Sequence, residues 1–327
     1  MESFSPSLVS IIIPVYNTEQ YLEEALKSCL QQTYDFIEVI CVDNNSTDES
    51  REILERYALK FPDKIKVFEE NEKGAPAARN KGMKEAGGEY IHFLDSDDVL
   101  EKNSIQLLIS EMNGEVDGVS GSATYYKNNF DGSPVFERKR ISKVDNQLAH
   151  ILNNHPDTGS LLLKKSAVKN VKWDNNLGAG QELVFWSELV LTNNAKIKYI
   201  PETVCKIRIH HSPHRISNQN RKIRVEIHYR VILKIEMLLK SSPFKSPIAE
   251  IALNDRKLRN AFNAIHAKNF RISYLLAKRI DKKLVKRSTN FKWFSREGVF
   301  CISNLYAGFL FYFFNYKLRK RFSFFFH

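Results

Sequence analysis

At 327 residues the chain has room for one large domain or two, and its 43% hydrophobic content is enough for a sizeable core. Four scattered cysteines, Cys29, Cys41, Cys205 and Cys301, form no CxxC pair, which argues against a disulfide framework or a thiolate zinc site. Met1–Leu8 lacks the basic and apolar regions of a signal peptide, so a cytoplasmic address is expected. The net charge of +11 is uneven: residues 221–327 hold 24 Lys+Arg against 6 Asp+Glu, leaving 25 against 32 for residues 1–220, a distribution that points to an anionic partner for the back half.

Val9–Val15 reads as a buried strand, with Pro14 tolerated near its end. Tyr16-Asn17-Thr18 is a turn, Thr18 a helix cap, and the helix runs to about Gln32 with Leu22, Ala25, Leu26 and Cys29 on one face. A strand at Phe36–Val42 ends in the polar run Asp43–Asp48. A helix over Glu49–Lys60, a strand at Ile65–Phe68, a helix from Gly74 through Ala86 closed by Gly87-Gly88, and a strand at Tyr90–Leu94 follow. This alternation predicts an α/β fold, a mainly parallel sheet with helices on both faces. Asn17, Asp43 and Asp95 each stand just past a strand, so their loops share the sheet edge where such folds bind ligands.

The last of these strands runs into Asp95-Ser96-Asp97-Asp98. In an extended segment residues i and i+2 face the same way, so Asp95 and Asp97 converge on one object. Hard oxygen ligands of this kind suit Mg²⁺ or Mn²⁺ shared with substrate phosphates. Read alone, the run is equally a polar turn, with Asp98 capping the next helix.

Four stretches, Ile12–Asn17, Val42–Asp48, Ala78–Gly82 and Phe93–Asp98, resemble in order and spacing the family 2 glycosyltransferases, and the resemblance covers about residues 8–212. It implies a GT-A fold (Rossmann-like), a nucleotide-sugar donor, a divalent metal and inversion at the anomeric carbon. By the same resemblance Pro14, Val15, Tyr16 and Asn17 line the nucleotide pocket, Asp43 lies near uridine, and Arg79 steadies the nucleotide or its diphosphate. Asn44 stands where a second Asp commonly meets the base, which leaves the choice between uridine and thymidine open. Asp95 meets the ribose or the metal, Ser96 belongs with the nucleotide pocket, and Asp97 ligates Mn²⁺ or Mg²⁺.

Downstream, Leu100–Met112 reads as helix, Gly118–Ala123 as strand, Asn128–Arg140 as loop, Gln147–Leu152 as helix and Thr158–Leu163 as strand. Where the family commonly has Glu-Asp, two residues and Phe, this chain has Gln181-Glu182 and Phe185, which puts Glu182 in the general-base position. Glu182 also suits the start of a helix, where the dipole favours a carboxylate. A strand at Lys198–Ile200 precedes Ile207–Ser212, which resembles the family's late Arg-x-His segment. His210 aligns there as a ligand of the metal or a contact of the diphosphate, and His211 is the next candidate.

Beyond Asn220 the resemblance ends, so the expected division is a catalytic domain over 1–220 and a basic helical C-terminal extension over 221–327. Lys222–Leu239 is helical with an apolar stripe, Ser241–Pro247 breaks it, and Leu253–Lys286 suggests one or two more basic helices. An apolar aromatic run, Val299–Phe314, is followed by Lys317, Arg319, Lys320 and Arg321, a pattern suited to an anionic membrane interface; a membrane span and a helical extension packed on the catalytic domain are the alternatives. No nucleic-acid recognition motif accompanies the charge. The expectation is transfer of a hexose or N-acetylhexosamine from a nucleoside-diphosphate sugar, UDP first, to a bacterial surface glycan or lipid-linked acceptor at the inner face of the membrane. A nucleotidyltransferase on a similar sheet and a nucleotide-sugar-binding protein are the competing readings.

Overall fold

The computed structural model describes residues 7–141, 143–210 and 220–285. His211, and the aromatic and cationic run from Val299 onward, lie outside the described residues. The chain divides into two compact units, 1–245 and 246–327.

In the first unit, β1 (Val9–Val15) and β2 (Ile37–Asp43) are buried along their whole length, as strands covered on both faces must be. They pair in parallel from Val9–Ile37 to Val15–Asp43. The first helices are α1 (Glu19–Leu30), α2 (Ser50–Lys60) and α3 (Ala75–Glu85). With β3 (Ile65–Glu69) and β4 (Tyr90–Phe93) the strands form a parallel block in the order β3-β2-β1-β4, as the alternation predicts. Gly82 of α3 makes the close approach possible: a Cβ there would fall 2.3 Å from Ile12 Cγ2 of β1.

Past β4 the sheet becomes mixed. It continues through β5 (Val99–Leu100), α4 (Ser104–Ser110), β6 (Gly118–Lys127), β7 (Phe136–Arg138), α5 (Gln147–Asn154), β8 (Leu161–Lys164), α6 (Gln181–Asn193) and β9 (Ile197–Ile209). The nine strands run β3-β2-β1-β4-β8-β6-β9-β5, with β7 paired to β6. Four pairings are parallel and four antiparallel: three of the parallel ones make the N-terminal block, and the fourth joins β6 to β9 in the second half.

Three local expectations change. Val99-Leu100 pairs with Lys206 and Cys205 of β9, so the helix starts at Ser104 and not at Leu100. Asn103, and not Asp98, therefore stands at the N-cap of that helix; Asp98 Oδ1 accepts the Arg208 backbone N–H at 2.8 Å. The stretch 128–140 contains β7, held by Phe136 stacked on Tyr125 at 4.1 Å between ring centroids. Pro201 does not end its strand either: β9 runs straight through it, and the pairing with β6 shifts register there, in a bulge that absorbs the missing N–H.

A buried aromatic cluster fixes α6 to the sheet. Phe93 at the end of β4 meets the edge of Trp173 at 5.2 Å, Trp173 stacks on Phe185 at 4.3 Å, and Phe185 meets Trp186 at 5.0 Å. Next comes α7 (Arg221–Ser241), which buries Val231, Ile232, Ile235 and Leu239 and packs on α6. A Cβ on Gly180 would lie 3.1 Å from Val231 Cγ2, and φ there is +67°, so glycine suits both the contact and the backbone. Thus α7 belongs with the first unit, and the division falls after Lys245, 25 residues beyond the expected 220.

The second unit, described to Val285, holds α8 (Pro247–His266), α9 (Phe270–Ala277) and α10 (Lys282–Val285). Ser246 caps α8 through Ala249 N. Asn254 of α8 exchanges two hydrogen bonds with the Asp281 backbone, which ties α10 down. No helix among the described residues is long and apolar enough to cross a membrane.

Candidate active site

A cavity of about 770 Å³ opens at the carboxyl ends of β1, β2 and β4. Pro14, Val15, Tyr16, Asn17, Asn44, Arg79, Asp95, Ser96, Asp97, Glu182 and His210 all line it. Segments up to 196 residues apart in the chain therefore meet in one place. Of the residues singled out in the sequence, Asp43 alone is off the wall: it is buried, and its Oδ1 faces no hydrogen-bond donor among the described residues.

The nucleotide-side loops are locked together. Asn17, in the left-handed conformation at φ 49°, accepts from Thr47 N at 2.7 Å through Oδ1 and so joins the β1 loop to the β2 loop. Asn44 is more deeply committed. Its amide donates to the carbonyls of Glu70 and Glu72, both at 2.7 Å, and its Oδ1 accepts from Gly74 N at 2.6 Å. The role expected of Asn44, pairing with a base, gives way to holding the loop before α3. Thr18 likewise makes no side-chain cap; its Oγ1 donates to Ser96 Oγ at 3.0 Å, bracing the acidic loop.

Arg79 lines the cavity and is held on several sides. It is 3% exposed, sits 4.4 Å over the Trp173 ring, and donates from Nη2 to Asp95 at 2.7 Å and from Nη1 to Gln181 at 3.0 Å. A guanidinium so enclosed braces the acid loop against the start of α6. Burial pushes the Asp95 carboxyl above the usual carboxylate range; Arg79 opposes this, and the charges of Asp97 and Glu182 add to it.

Asp97 Oδ2 lies 2.8 Å from His210 Nε2, and the His210 ring rests against Tyr21 at 4.7 Å. Arg208 sets this geometry. Buried between Tyr21 at 4.6 Å and Phe130 at 4.1 Å, it donates from Nε to the Asp97 carbonyl at 2.9 Å and pairs with Glu24. The sequence singles out the two histidines of this segment, yet the Arg two residues before His210 belongs to the same pattern.

Glu182 is the second residue of α6, half-buried on the cavity wall, and makes no hydrogen bond or ion pair with a described residue. Its position is fixed by neighbours. Gln181 is buried, accepts from Arg79 and donates to Leu177 O at 2.8 Å, while Phe185 is clamped in the aromatic cluster. The opposite wall was not legible in the sequence. There Asp157 accepts from Tyr125 Oη at 2.5 Å and from Arg140 at 3.0 Å, and pairs with Arg138; α7 adds Arg224 and His228.

No group of three or more His, Cys, Asp or Glu closes on a single point among the described residues. Asp97 and His210 nevertheless supply adjoining oxygen and nitrogen donors on the wall, with Asp95 beside them. That set fits an octahedral cation held by one or two carboxylates and completed by substrate phosphates.

The model of glycosyl transferase family 2 matches residues 10–171, which contain β1 to β4 and the acidic loop. Residues 10–171 are a glycosyl transferase family 2 domain. The chain is 31% identical over 210 residues to the minor teichoic acid biosynthesis protein GgaB of Bacillus subtilis, a match covering 61% of this chain and 23% of that one. It spans less than half the length of the curated relatives it matches. Among solved structures, S. aureus TarS 1-349 in complex with UDP-GlcNAc superposes with a TM-score of 0.66 at 19% identity, over 85% of this chain and 83% of that one. The mannosyltransferase PcManGT from Pyrobaculum calidifontis in complex with GDP-Man and Mn²⁺ gives 0.59 at 17% identity, over 93% and 86%. These likenesses establish the GT-A fold for the family 2 domain.

Proposed function

We propose that the protein is an inverting, divalent-metal-dependent glycosyltransferase that moves a hexose or N-acetylhexosamine from a nucleoside-diphosphate sugar, UDP first, to an acceptor hydroxyl. The observation that carries this is the placing of Glu182, a carboxylate without a hydrogen-bond or ion-pair partner among the described residues, on the wall that also holds Asp95, Asp97 and His210. UDP-GlcNAc in TarS and GDP-Man with Mn²⁺ in PcManGT support the donor class and the metal.

Asp97 and His210 would hold Mn²⁺ or Mg²⁺, with Asp95 beside them; when bound, the cation supplies neutralisation of charge on the departing diphosphate. The loops tied by Asn17 and Asn44 seat the nucleotide. Glu182 accepts the proton of the acceptor hydroxyl as that oxygen bonds to the anomeric carbon, and the carbon–oxygen bond to the diphosphate breaks with its electron pair leaving on the nucleoside diphosphate. Attack opposite the leaving group inverts the anomeric centre. Arg79 keeps the acid loop and the start of α6 in register for this step.

The acceptor in this proposal is a bacterial surface glycan, free or lipid-linked. The surplus of 18 positive charges in residues 221–327 supports docking on the anionic inner face of the cytoplasmic membrane. The test is a panel of nucleotide-sugars incubated with the full chain, with Mn²⁺, Mg²⁺ or chelator. Release of nucleoside diphosphate that stops on chelation is expected. Release of pyrophosphate instead would make the protein a nucleotidyltransferase, and no turnover of any donor would reduce it to a binding protein.

A further inference from the structure

The cavity's two sides differ in charge. The side formed by the β1 and β4 loops carries Asp95, Asp97 and Asp98 and suits a cation with its diphosphate. Elsewhere on the lining one carboxylate, Asp157, is shared by two guanidinium groups, Arg138 and Arg140. One positive charge is therefore left over, and Arg138, with 31% of its side chain exposed, presents it to the cavity. A second positive charge comes from α7. Arg224 is exposed on the cavity wall, and its guanidinium makes no hydrogen bond or ion pair with a described residue.

Arg224 and His228 stand one turn apart and share a face of α7. His228 lies about 4.0 Å from where a Cβ of residue 180 would be, two residues before Glu182. The packing that puts α7 on α6 thus brings an uncompensated cation to the wall that holds the base. A neutral sugar hydroxyl has no use for two guanidinium groups on the cavity lining, whereas a phosphate or carboxylate accepts from them through charge-assisted, bidentate hydrogen bonds.

We propose that Arg224 and Arg138 form an acceptor subsite for an anionic glycan, holding a phosphate or carboxylate of the acceptor while its hydroxyl meets Glu182. This rests on the glycosyltransferase reading and adds the chemical class of the acceptor.

The test uses the full chain saturated with UDP and three fluorescein-labelled oligomers of similar length: an oligo(glycerol phosphate), an oligogalacturonate and a neutral maltooligosaccharide. Binding is followed by fluorescence anisotropy at fixed ionic strength. At least one anionic oligomer should bind about tenfold more tightly than the neutral one, and Arg224→Ala should remove most of that difference while Arg224→Lys keeps part of it. Preference between the two anionic oligomers tells phosphate from carboxylate. UDP affinity measured on the same samples reports folding of the variants. Equal binding of all three oligomers, or anion binding unchanged by both Arg224→Ala and the charge-reversing Arg224→Glu, would overturn the subsite and assign any affinity to cations elsewhere in the chain. Donor hydrolysis by the unsubstituted protein separates the two claims. Nucleoside diphosphate release without anion preference removes the subsite alone, and anion preference without release removes the catalytic reading.

Discussion

Arg79 Nη1 lies 3.0 Å from Gln181 Oε1, and the same guanidinium holds Asp95 at 2.7 Å. One buried side chain therefore spans the acid loop and the residue before the proposed base. Lysine cannot bridge both partners or lie flat over Trp173. Arg79→Lys is expected to lower kcat by about 10–100-fold through misplacement of Glu182, with a smaller change in donor KM. A donor KM that rose with kcat intact would return Arg79 to a nucleotide-binding role.

Gln181 stands where relatives in the family commonly carry Glu. In this chain its amide also donates to Leu177 O at 2.8 Å, which a carboxylate cannot do. Gln181→Glu should therefore destabilise the protein by about 1 kcal/mol in denaturant titration, by leaving that carbonyl without its donor. An unchanged midpoint would show that the stronger pairing with Arg79 offsets the loss.

Glu182→Gln keeps size and removes basicity. Donor binding should be unaffected while turnover falls by about 10²–10⁴. Calorimetric UDP titration and a nucleoside diphosphate release assay read the two separately, and undiminished release would eliminate Glu182 from the reaction.

The metal assignment predicts that Asp97→Asn and His210→Gln each weaken Mn²⁺ binding in the presence of UDP by at least about tenfold. Electron paramagnetic resonance of free Mn²⁺ measures this directly. Normal affinity in His210→Gln would leave His210 as a hydrogen-bond partner of Asp97 and nothing more.

Stability should fall in mild acid. His92 is fully buried in β4, and burial holds its pKa down to about 4, against 6.5 in a model peptide. The folded state keeps it neutral while the unfolded chain takes up a proton, so its contribution is intact above pH 6.5 and is lost as pH drops towards 4, amounting to about 3 kcal/mol across that window. His150, at about 4 through burial and Arg140, adds to the same trend. Chemical denaturation at pH 7 and pH 5.5 should show the loss, and His92→Leu should recover about half of it. A pH response identical to the unsubstituted protein would show that His92 takes up its proton as readily in the fold as in the unfolded chain.

The parallel block was legible because each of its strands is a run of apolar residues closed by polar ones, and its helices carry periodic apolar faces. Val9–Val15 and the helix after Thr18 came out close to their observed limits for that reason. The second half was harder. Val99-Leu100 continues the apolar pattern of a helix, yet its backbone is claimed by β9, a partner some 105 residues later that no local periodicity reports. The site divides in the same way. Asp97, His210 and Glu182 announce themselves by type and spacing. Arg138 and Asp157 owe their importance to contacts across the fold, and in the sequence they look like any exposed charge. Asn44 and Arg79 were noticed, but the partners that occupy them lie on other segments.

The three bonds from Asn44 to the 70–74 loop carry a consequence for how this chain could evolve. An aspartate at that position would present only acceptors to two carbonyls and push the loop away. Side chain and scaffold are thus fused here: a new residue at position 44 would require exchanging the 70–74 backbone with it as a whole, since the amide has no freedom left to change allegiance.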